Sequence, residues 1–219
     1  MTQTRNLTWR AFEPGDFERA ARLLGRTWLP EFGEAAQRAA SQIELAHYLA
    51  ASTWSLLAER DGEVLGVVLV AERGREAAGD VDWAGLEARL TRAAEKDEAL
   101  AEAVRTEMDG VREEAELERE YAADGPAGAD ATVKLLIVSP DAKGLGIGGG
   151  LFSAALEHLR ETGARGYHLL TDDSCDVGFY EHKGLTQAMR RRSRAYWPGV
   201  DPEKDEFYVY VYEQSLQLA

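Results

Sequence analysis

The sequence lacks the features that mark several large classes of protein. Its 219 residues include one cysteine, Cys175, so an internal disulfide framework is excluded, and this usage fits a reducing compartment. No apolar run approaches the roughly 20 residues that span a bilayer, and the N-terminus has no apolar signal-peptide core. We therefore expect a cytoplasmic protein without a membrane partner.

Positive charge is also scarce. The chain has 25 Lys and Arg against 39 Asp and Glu, which gives a formal net charge of −14 at pH 7. A nucleic-acid partner is not expected, because phosphate binding requires a basic face. The acidic surface either serves solubility alone or concentrates a cationic partner such as an amine.

Strand and helix patterns alternate along the chain. Apolar residues follow a period of two or of about 3.6, and an Asp-Gly pair between two apolar runs is a strong hairpin signal. The predicted elements that matter most are a strand over 7–12, helices over 17–29 and 34–51, a hairpin around Asp61 and Gly62, and a central strand over 132–138. This order predicts one α/β domain over residues 1–219, built around a mixed sheet.

Residues 74–130 differ in composition from the rest of the chain. They are rich in Ala, Glu and Arg, and their apolar residues recur at helical spacing with a break at Asp97. The pattern predicts one or two amphipathic helices that form an acidic insertion within the domain. Two roles stay open for it at this point: a solvated excursion with one packed stripe, or a homodimer contact or lid.

The stretch KGLGIGGGLF, Lys143–Phe152, contains five glycines between the central strand and a predicted helix. Glycine costs about 0.5–1 kcal/mol relative to alanine in regular structure, so such a cluster indicates close approach of another backbone or a phosphate. A helix N-terminus after a glycine turn offers free N–H groups to phosphate. The G-x-G-x-x-G spacing of Gly144, Gly146 and Gly149 would suit a dinucleotide, whereas the Walker lysine pattern is missing.

The sequence on both sides of the glycines indicates which phosphate-containing ligand the turn binds. IVSPDAKGLGIGGGLF and DDSCDVGFYEHKGL resemble the GCN5-related N-acetyltransferase (GNAT) family, specifically over residues 132–185 and more loosely over 7–72. The resemblance implies an acyl-CoA N-acyltransferase-like fold, with a mixed, mostly antiparallel central sheet flanked by helices. It also implies acetyl transfer from acetyl-CoA, as co-substrate, to a primary amine of a small molecule or peptide. A dinucleotide fold would need this turn after the first strand of a longer series.

The resemblance also implies the residues that bind acetyl-CoA. The family's [Q/R]-x-x-G-x-[G/A] loop maps onto residues 143–148, with Lys143 in place of Gln or Arg, and Asp173 stands where the family has Asn. One N–H of the central strand is expected to polarise the acetyl carbonyl. The expected binding residues are Leu136, Ile137 and Val138 for the pantetheine arm, Lys143, Gly144, Leu145, Gly146, Ile147, Gly148 and Gly149 for the pyrophosphate, and Asp173. No metal is implied.

Acetyl transfer to an amine needs a proton donor for the thiolate and a base for the ammonium. The resemblance assigns the first role to Tyr180. Some relatives carry an acidic residue where this chain has His168, and an imidazole with a pKa near 6.5 suits the base; His47 and Glu72 are rivals. The aromatic candidates for an amine-binding wall are Trp28, Phe32, Tyr48, Trp54, Tyr196, Trp197 and Tyr208. The alternative is a CoA-binding regulatory or structural protein without turnover.

Overall fold

A seven-stranded sheet with helices on both faces defines the fold. The computed structural model describes residues 7–195 and 204–216. The strands are β1 (Leu7–Arg10), β2 (Trp54–Arg60), β3 (Glu63–Glu72), β4 (Ala131–Val138), β5 (Gly166–Asp172), β6 (Thr186–Arg192) and β7 (Tyr208–Ser215). The helices are α1 (Phe17–Trp28), α2 (Glu34–Ala51), α3 (Trp83–Ala94), α4 (Glu98–Ala122), α5 (Ile147–Glu161) and α6 (Val177–His182).

The sheet is mixed and mostly antiparallel, which confirms the predicted fold class. Its strand order is β1-β2-β3-β4-β5-β7-β6, and β4 and β5 are the parallel pair. The predicted hairpin joins β2 to β3. Asp61 and Gly62 both have positive φ, 53° and 80°, as the tight turns that match strand twist require. The first strand ends at Arg10, before the predicted boundary at Phe12.

A β-bulge interrupts β4 at Lys134. Leu69 pairs with Leu135, but the next residue, Val70, pairs with Val133, so Lys134 is an extra residue in its strand. A bulge bends its strand and locally increases the twist. The bend is what separates β4 from its parallel neighbour.

The separation begins where the pairing with β5 stops. The structure describes β4 and β5 in full. The residue pairs between these two strands are Thr132 with His168 and Val133 with Leu169. Beyond the bulge β4 continues along β3 alone. The second half of β4 and the end of β5 therefore diverge and leave a gap in the middle of the sheet.

The bulge also divides β4 between two hydrophobic cores. Ala131 and Val133 pack with α5 on one face, whereas Leu135 and Ile137 pack with α1 and α2 on the other. Side chains alternate along a strand, so one extra residue is enough to exchange the faces. The same strand is thereby held from both sides while its free edge is directed into the gap.

Residues 74–130 form α3 and α4 and add no strand to the sheet. Asp97, at the break in the apolar pattern, caps α4 by accepting hydrogen bonds from Ala99 N at 3.0 Å and Leu100 N at 3.2 Å. Val104 and Met108 bury one side of α4 in the core shared with α2. Segment 74–130 is thus packed against the rest of the structure. Within the described residues, no helix combines the length and hydropathy needed to cross a bilayer.

Candidate active site

The glycine loop, residues 143–149, ends in a row of backbone N–H groups at the start of α5. Gly144 and Gly146 have φ of 81° and 73°, a region that favours glycine, and this backbone starts α5 at Ile147. The first helical bond runs from Gly150 N to Gly146 O at 2.9 Å. The preceding N–H groups of α5 have no backbone acceptor among the described residues. They form the arrangement that binds anions at helix N-termini.

The free edge of β4 presents a second set of backbone groups. Ser139 N donates to Leu65 O at 2.8 Å, and hydrogen-bonding direction alternates along a strand. Ile137 therefore bonds to β3, whereas Leu136 and Val138 direct their N–H and C=O groups into the gap. Of the three residues expected along a pantetheine arm, two have the required orientation.

One continuous cavity of about 910 Å³ passes through the gap. Val138 and Gly148 line it on the side of the glycine loop, with Phe179 and Tyr180 from α6. Its other side extends between α2, α4 and the end of β5. Two molecules that enter from the two sides can therefore meet at the gap.

Tyr180 reaches the cavity from α6. Burial, and then the nearby Cys175 and Asp172, raise the pKa of Tyr180 well above its ordinary value. The hydroxyl is therefore protonated at neutral pH. α6 is capped by Asp176, whose Oδ1 accepts a hydrogen bond from Phe179 N at 3.2 Å.

Asp173 lies outside the cavity lining. It is exposed, and its carboxylate accepts hydrogen bonds from Tyr208 N at 2.8 Å and from the Tyr210 hydroxyl at 2.5 Å. These bonds fix the turn after β5 to the start of β7. Lys143, also exposed, lies in the turn that leads to α5.

His168 is enclosed at the end of the sheet where β4 and β5 still pair. It is 2% exposed, and its Nδ1 donates to Gly128 O at 2.8 Å. Its Nε2 lies 3.2 Å from both Thr132 Oγ1 and Glu118 Oε1. Both ring nitrogens thus have protein partners, and His168 is not among the residues that line the cavity.

His168→Ala is expected to destabilise the fold and to leave the rising limb of the pH–rate profile in place. Loss of the ring leaves the Gly128 carbonyl without its donor, at a cost of about 1–3 kcal/mol. His168→Asn, whose amide can donate to the same carbonyl, should recover part of the loss. Chemical denaturation and pH–rate profiles of both variants provide the measurement. Disappearance of the rising limb in both would restore the base role to His168.

The rival bases also have partners. Glu72 is buried outside the cavity lining, where its Oε1 lies 2.9 Å from His158 Nε2. His47 lies in the lining, with its Nδ1 3.3 Å from Glu87 Oε1. The position of His47 suits contact with a ligand better than that of Glu72.

Carboxyl groups dominate the side of the cavity away from the glycine loop. They come from α2, α3, α4 and β5, which converge there, and we call this region the acidic half. Its acids are Glu44, Glu87, Glu107, Glu114, Glu118 and Asp172. The insertion contributes more than half of them, so α4 forms a wall of the cavity.

Glu44 and Glu107 form a close pair of carboxyls. Glu44 is 2% exposed, and its Oε1 accepts the Tyr48 hydroxyl at 3.0 Å. Burial, and then the charge of Glu107, hold the pKa of Glu44 well above its ordinary value, and burial raises the pKa of Glu107 to about 7. The two carboxyls share a side-chain hydrogen bond, which requires a proton between them, and no other donor from the described residues reaches Glu44 Oε2. The pair therefore favours a bound proton or a bound cation.

Glu114 and Glu118 lie further along α4 and differ in environment. Burial, and then the charge of Asp172, raise the pKa of Glu114 to about 8. Glu118 Oε2 lies 2.6 Å from Lys134 Nζ. Hydrogen bonds from His168 and Lys134 outweigh burial and lower the pKa of Glu118 to about 2. Glu118 is thus neutralised within the protein, whereas Glu114 has no ion pair with a described residue.

Sequence reasoning missed the acidic half, although α4 carries a signal for it. Glu107, Glu114 and Glu118 recur at helical spacing with Val104 and Val111, so they lie beside the apolar stripe that faces the protein. Acids at such positions are costly to bury unless they have a partner. Among the aromatic candidates, Trp28 and Tyr48 line the cavity. Tyr196 and Trp197 lie outside the described residues.

Comparisons with known proteins agree with this fold. The sequence model of the acetyltransferase (GNAT) family matches residues 17–185. The ribosomal-protein-S18-alanine N-acetyltransferase of Escherichia coli is similar in structure, with 15% identity, a TM-score of 0.57, and coverage of 97% of this chain and 96% of that chain. Ard1 from Thermoplasma volcanium has 16% identity and a TM-score of 0.55, over 97% and 99% of the two chains. No curated protein sequence matches the chain.

Proposed function

The chain belongs to the GNAT family and is an acetyl-CoA-dependent N-acyltransferase, and we propose that its acceptor is a cationic primary amine of a small molecule or peptide. One observation carries the proposal: the acidic half lies across the gap from the glycine loop, within the same cavity. A cation at this position is attracted by carboxyl groups that lack a protein counter-ion, in surroundings where charges interact more strongly than in water.

The residues on the other side of the gap fit acetyl-CoA. Backbone N–H groups of Ile147, Gly148 and Gly149 would hold the pyrophosphate, and the free edge at Leu136 and Val138 would pair with the pantetheine arm. When bound, acetyl-CoA supplies the acetyl group. An N–H of the β4 edge would stabilise negative charge that develops on the acetyl oxygen.

Two side chains on opposite sides of the gap would move the protons. Glu114 accepts a proton from the acceptor's ammonium group, and a pKa of about 8 gives it both the affinity and the ionised fraction that a base needs near neutral pH. Tyr180 donates a proton to the leaving sulfur. The base role is given to Glu114 in place of His168, because His168 lies outside the cavity lining.

A panel of acceptors tests the proposal directly. Thiol release from acetyl-CoA is measured with primary amines of similar size whose remaining groups are cationic, neutral or anionic. We expect kcat/KM to be highest for the cationic amines and lowest for amino acids that keep a free carboxylate. Acetyl-CoA binding by calorimetry without thiol release from any amine would contradict the proposal and favour a CoA-binding protein without turnover.

Tyr180→Phe is expected to lower kcat by about 10²-fold, within the range of general acid catalysis. Because the ring remains and only the hydroxyl is lost, the affinity for acetyl-CoA should change little. Steady-state kinetics and calorimetry measure the two effects. Tyr212→Phe is the matched control, since that hydroxyl bonds to Glu181 at 3.0 Å and not to the cavity. Wild-type kcat in Tyr180→Phe, with chemistry rate-limiting, would remove Tyr180 from the mechanism.

A further inference from the structure

The acidic half contains more carboxyl groups than one ammonium group requires. Glu114 and Tyr180 both line the cavity, and the charge of Glu114 is among those that raise the pKa of that hydroxyl. Glu107 is two helical turns nearer the start of α4, beside Glu44 and Tyr48. Seven residues of helix span about 10 Å along the axis. The unpaired acids of α4 therefore define two separate positions.

The position at Glu44 is a built site. Glu44 is almost completely buried, Tyr48 fixes one of its oxygens, and the second oxygen has no donor among the described residues apart from the proton shared with Glu107. Trp28 and Tyr48 add aromatic faces to the same lining, and such faces attract cations. A buried carboxyl with an unused acceptor, inside a cavity, indicates a ligand that donates hydrogen bonds and carries positive charge.

Other acids in the chain show what a purely structural carboxylate looks like here. Asp16 is buried and is held by Arg10 Nη1 at 2.6 Å, with Arg19 as a second partner. Glu118 has Lys134. Among the described residues, Glu44 has no such cation. The contrast favours a counter-ion that comes from outside the protein.

We propose that the acceptor is a linear diamine or polyamine, whose reacting amine lies at Glu114 while a second ammonium group is held by Glu44 and Glu107. This inference rests on the proposed acetyl transfer to a cationic amine and specifies its substrate class. The second ammonium group donates to Glu44 Oε2 and shares charge with both carboxyls. The separation along α4 selects acceptors by the distance between their amino groups.

Kinetics with matched acceptors test the inference. The value of kcat/KM is compared for 1,3-diaminopropane, 1,4-diaminobutane, 1,6-diaminohexane and 1,8-diaminooctane, each against the n-alkylamine of the same chain length. Wild type is expected to prefer a diamine at least about 30-fold, with an optimum at one chain length. Glu44→Gln and Glu107→Gln should each reduce that preference at least about tenfold, mainly through KM. Glu102→Gln, an exposed acid of the same helix, is the matched control and should keep it.

A binding measurement distinguishes failure of the second ammonium site from failure of the proposed acetyl transfer. Calorimetry with 1,8-diaminooctane, whose two amino groups can lie as far apart as the two positions, is carried out in buffers of different ionisation enthalpy. It should show proton release near pH 7, because a cation displaces the protons of Glu44 and Glu107, and Glu44→Gln should reduce this release. Acetylation of alkylamines without preference for any diamine would overturn the second ammonium site alone. Absence of acetylation for every amine would overturn the proposed function. If Glu44→Gln fails to fold, Glu107→Gln and the chain-length profile of wild type still decide the question.

Discussion

Glu114→Gln is expected to lower kcat by about 10³-fold and to raise the melting temperature of the protein. The first effect follows from loss of the group that accepts the ammonium proton, and general base catalysis contributes about 10²–10⁴-fold. In wild type, kcat/KM should rise with pH through a group that titrates near pH 8. The variant should lack this rise, and only the titration of the amine itself should remain.

Glu114→Gln is expected to stabilise the fold while it lowers activity, because burial raises the pKa of Glu114. Its pKa is about 8 in the folded protein against an ordinary value of 4.5. Between these values the folded state holds a proton that the unfolded state has lost, so this group's contribution to stability falls as pH rises through the window. Gln does not titrate. The variant's advantage in melting temperature should therefore be larger at pH 8.5 than at pH 5.

The comparison of wild type with Glu114→Gln requires that the charged groups around Glu114 stay unchanged. These groups belong to α4, β4 and β5, and Tyr180 faces Glu114 from α6. After burial, the charges that act on its pKa are those of Asp172, Lys134, Glu107 and Glu118. Glu102→Gln controls for loss of one negative charge from α4. An unchanged pH–rate profile in Glu114→Gln would exclude Glu114 as the base.

Gly148→Asp is expected to weaken acetyl-CoA binding at least 100-fold without loss of stability. Gly148 is the second residue of α5 and lines the cavity. A Cβ there would meet Val138 Cγ2 at 3.4 Å, an ordinary contact. At roughly 4 Å and an effective dielectric constant near 20, two like charges repel by about 4 kcal/mol, so a carboxylate there opposes the pyrophosphate. The same carboxylate favours the helix, because negative charge stabilises its N-terminus.

Gly148→Asn separates charge from bulk in this test. Asn has nearly the shape of Asp, so any excess loss of affinity in Gly148→Asp measures the charge. Gly146 is a less suitable position, because its φ of 73° would add backbone strain to any substitution. Calorimetry with acetyl-CoA and thermal unfolding provide the two measurements. Equal affinity of Gly148→Asp and wild type would mean that the pyrophosphate binds elsewhere.

Local sequence patterns were sufficient for much of the fold. The helix over 34–51 and the turn at Asp61 and Gly62 depend on neighbouring residues, so their signals are contained in short stretches. The glycine loop could be located for the same reason, since positive φ and a helix start are local requirements. A cytoplasmic location and a homodimer stay predictions from the sequence.

The remaining features depend on contacts between distant parts of the chain. The bulge at Lys134 is a matter of register with β3, and an apolar run such as residues 132–138 carries no mark of it. The pairing of Glu44 with Glu107 requires α2 and α4 to meet, which neither helix specifies alone. His168 has the residue type of a base, but its neighbours decide its role. Tertiary packing, and not residue type, determined these outcomes.

The two ends of segment 74–130 meet on adjacent strands. Glu72 pairs with Ala131, and Arg73 N donates to Asp130 O at 2.9 Å. The segment therefore leaves β3 and enters β4 at the same end of this antiparallel pair of strands. Its length can therefore change without any shift in strand register, and closure entropy depends only weakly on loop length. Exchange of this segment during evolution would replace the acidic wall of the cavity together with the proposed base, Glu114, and leave the glycine loop and the edge of β4 as they are.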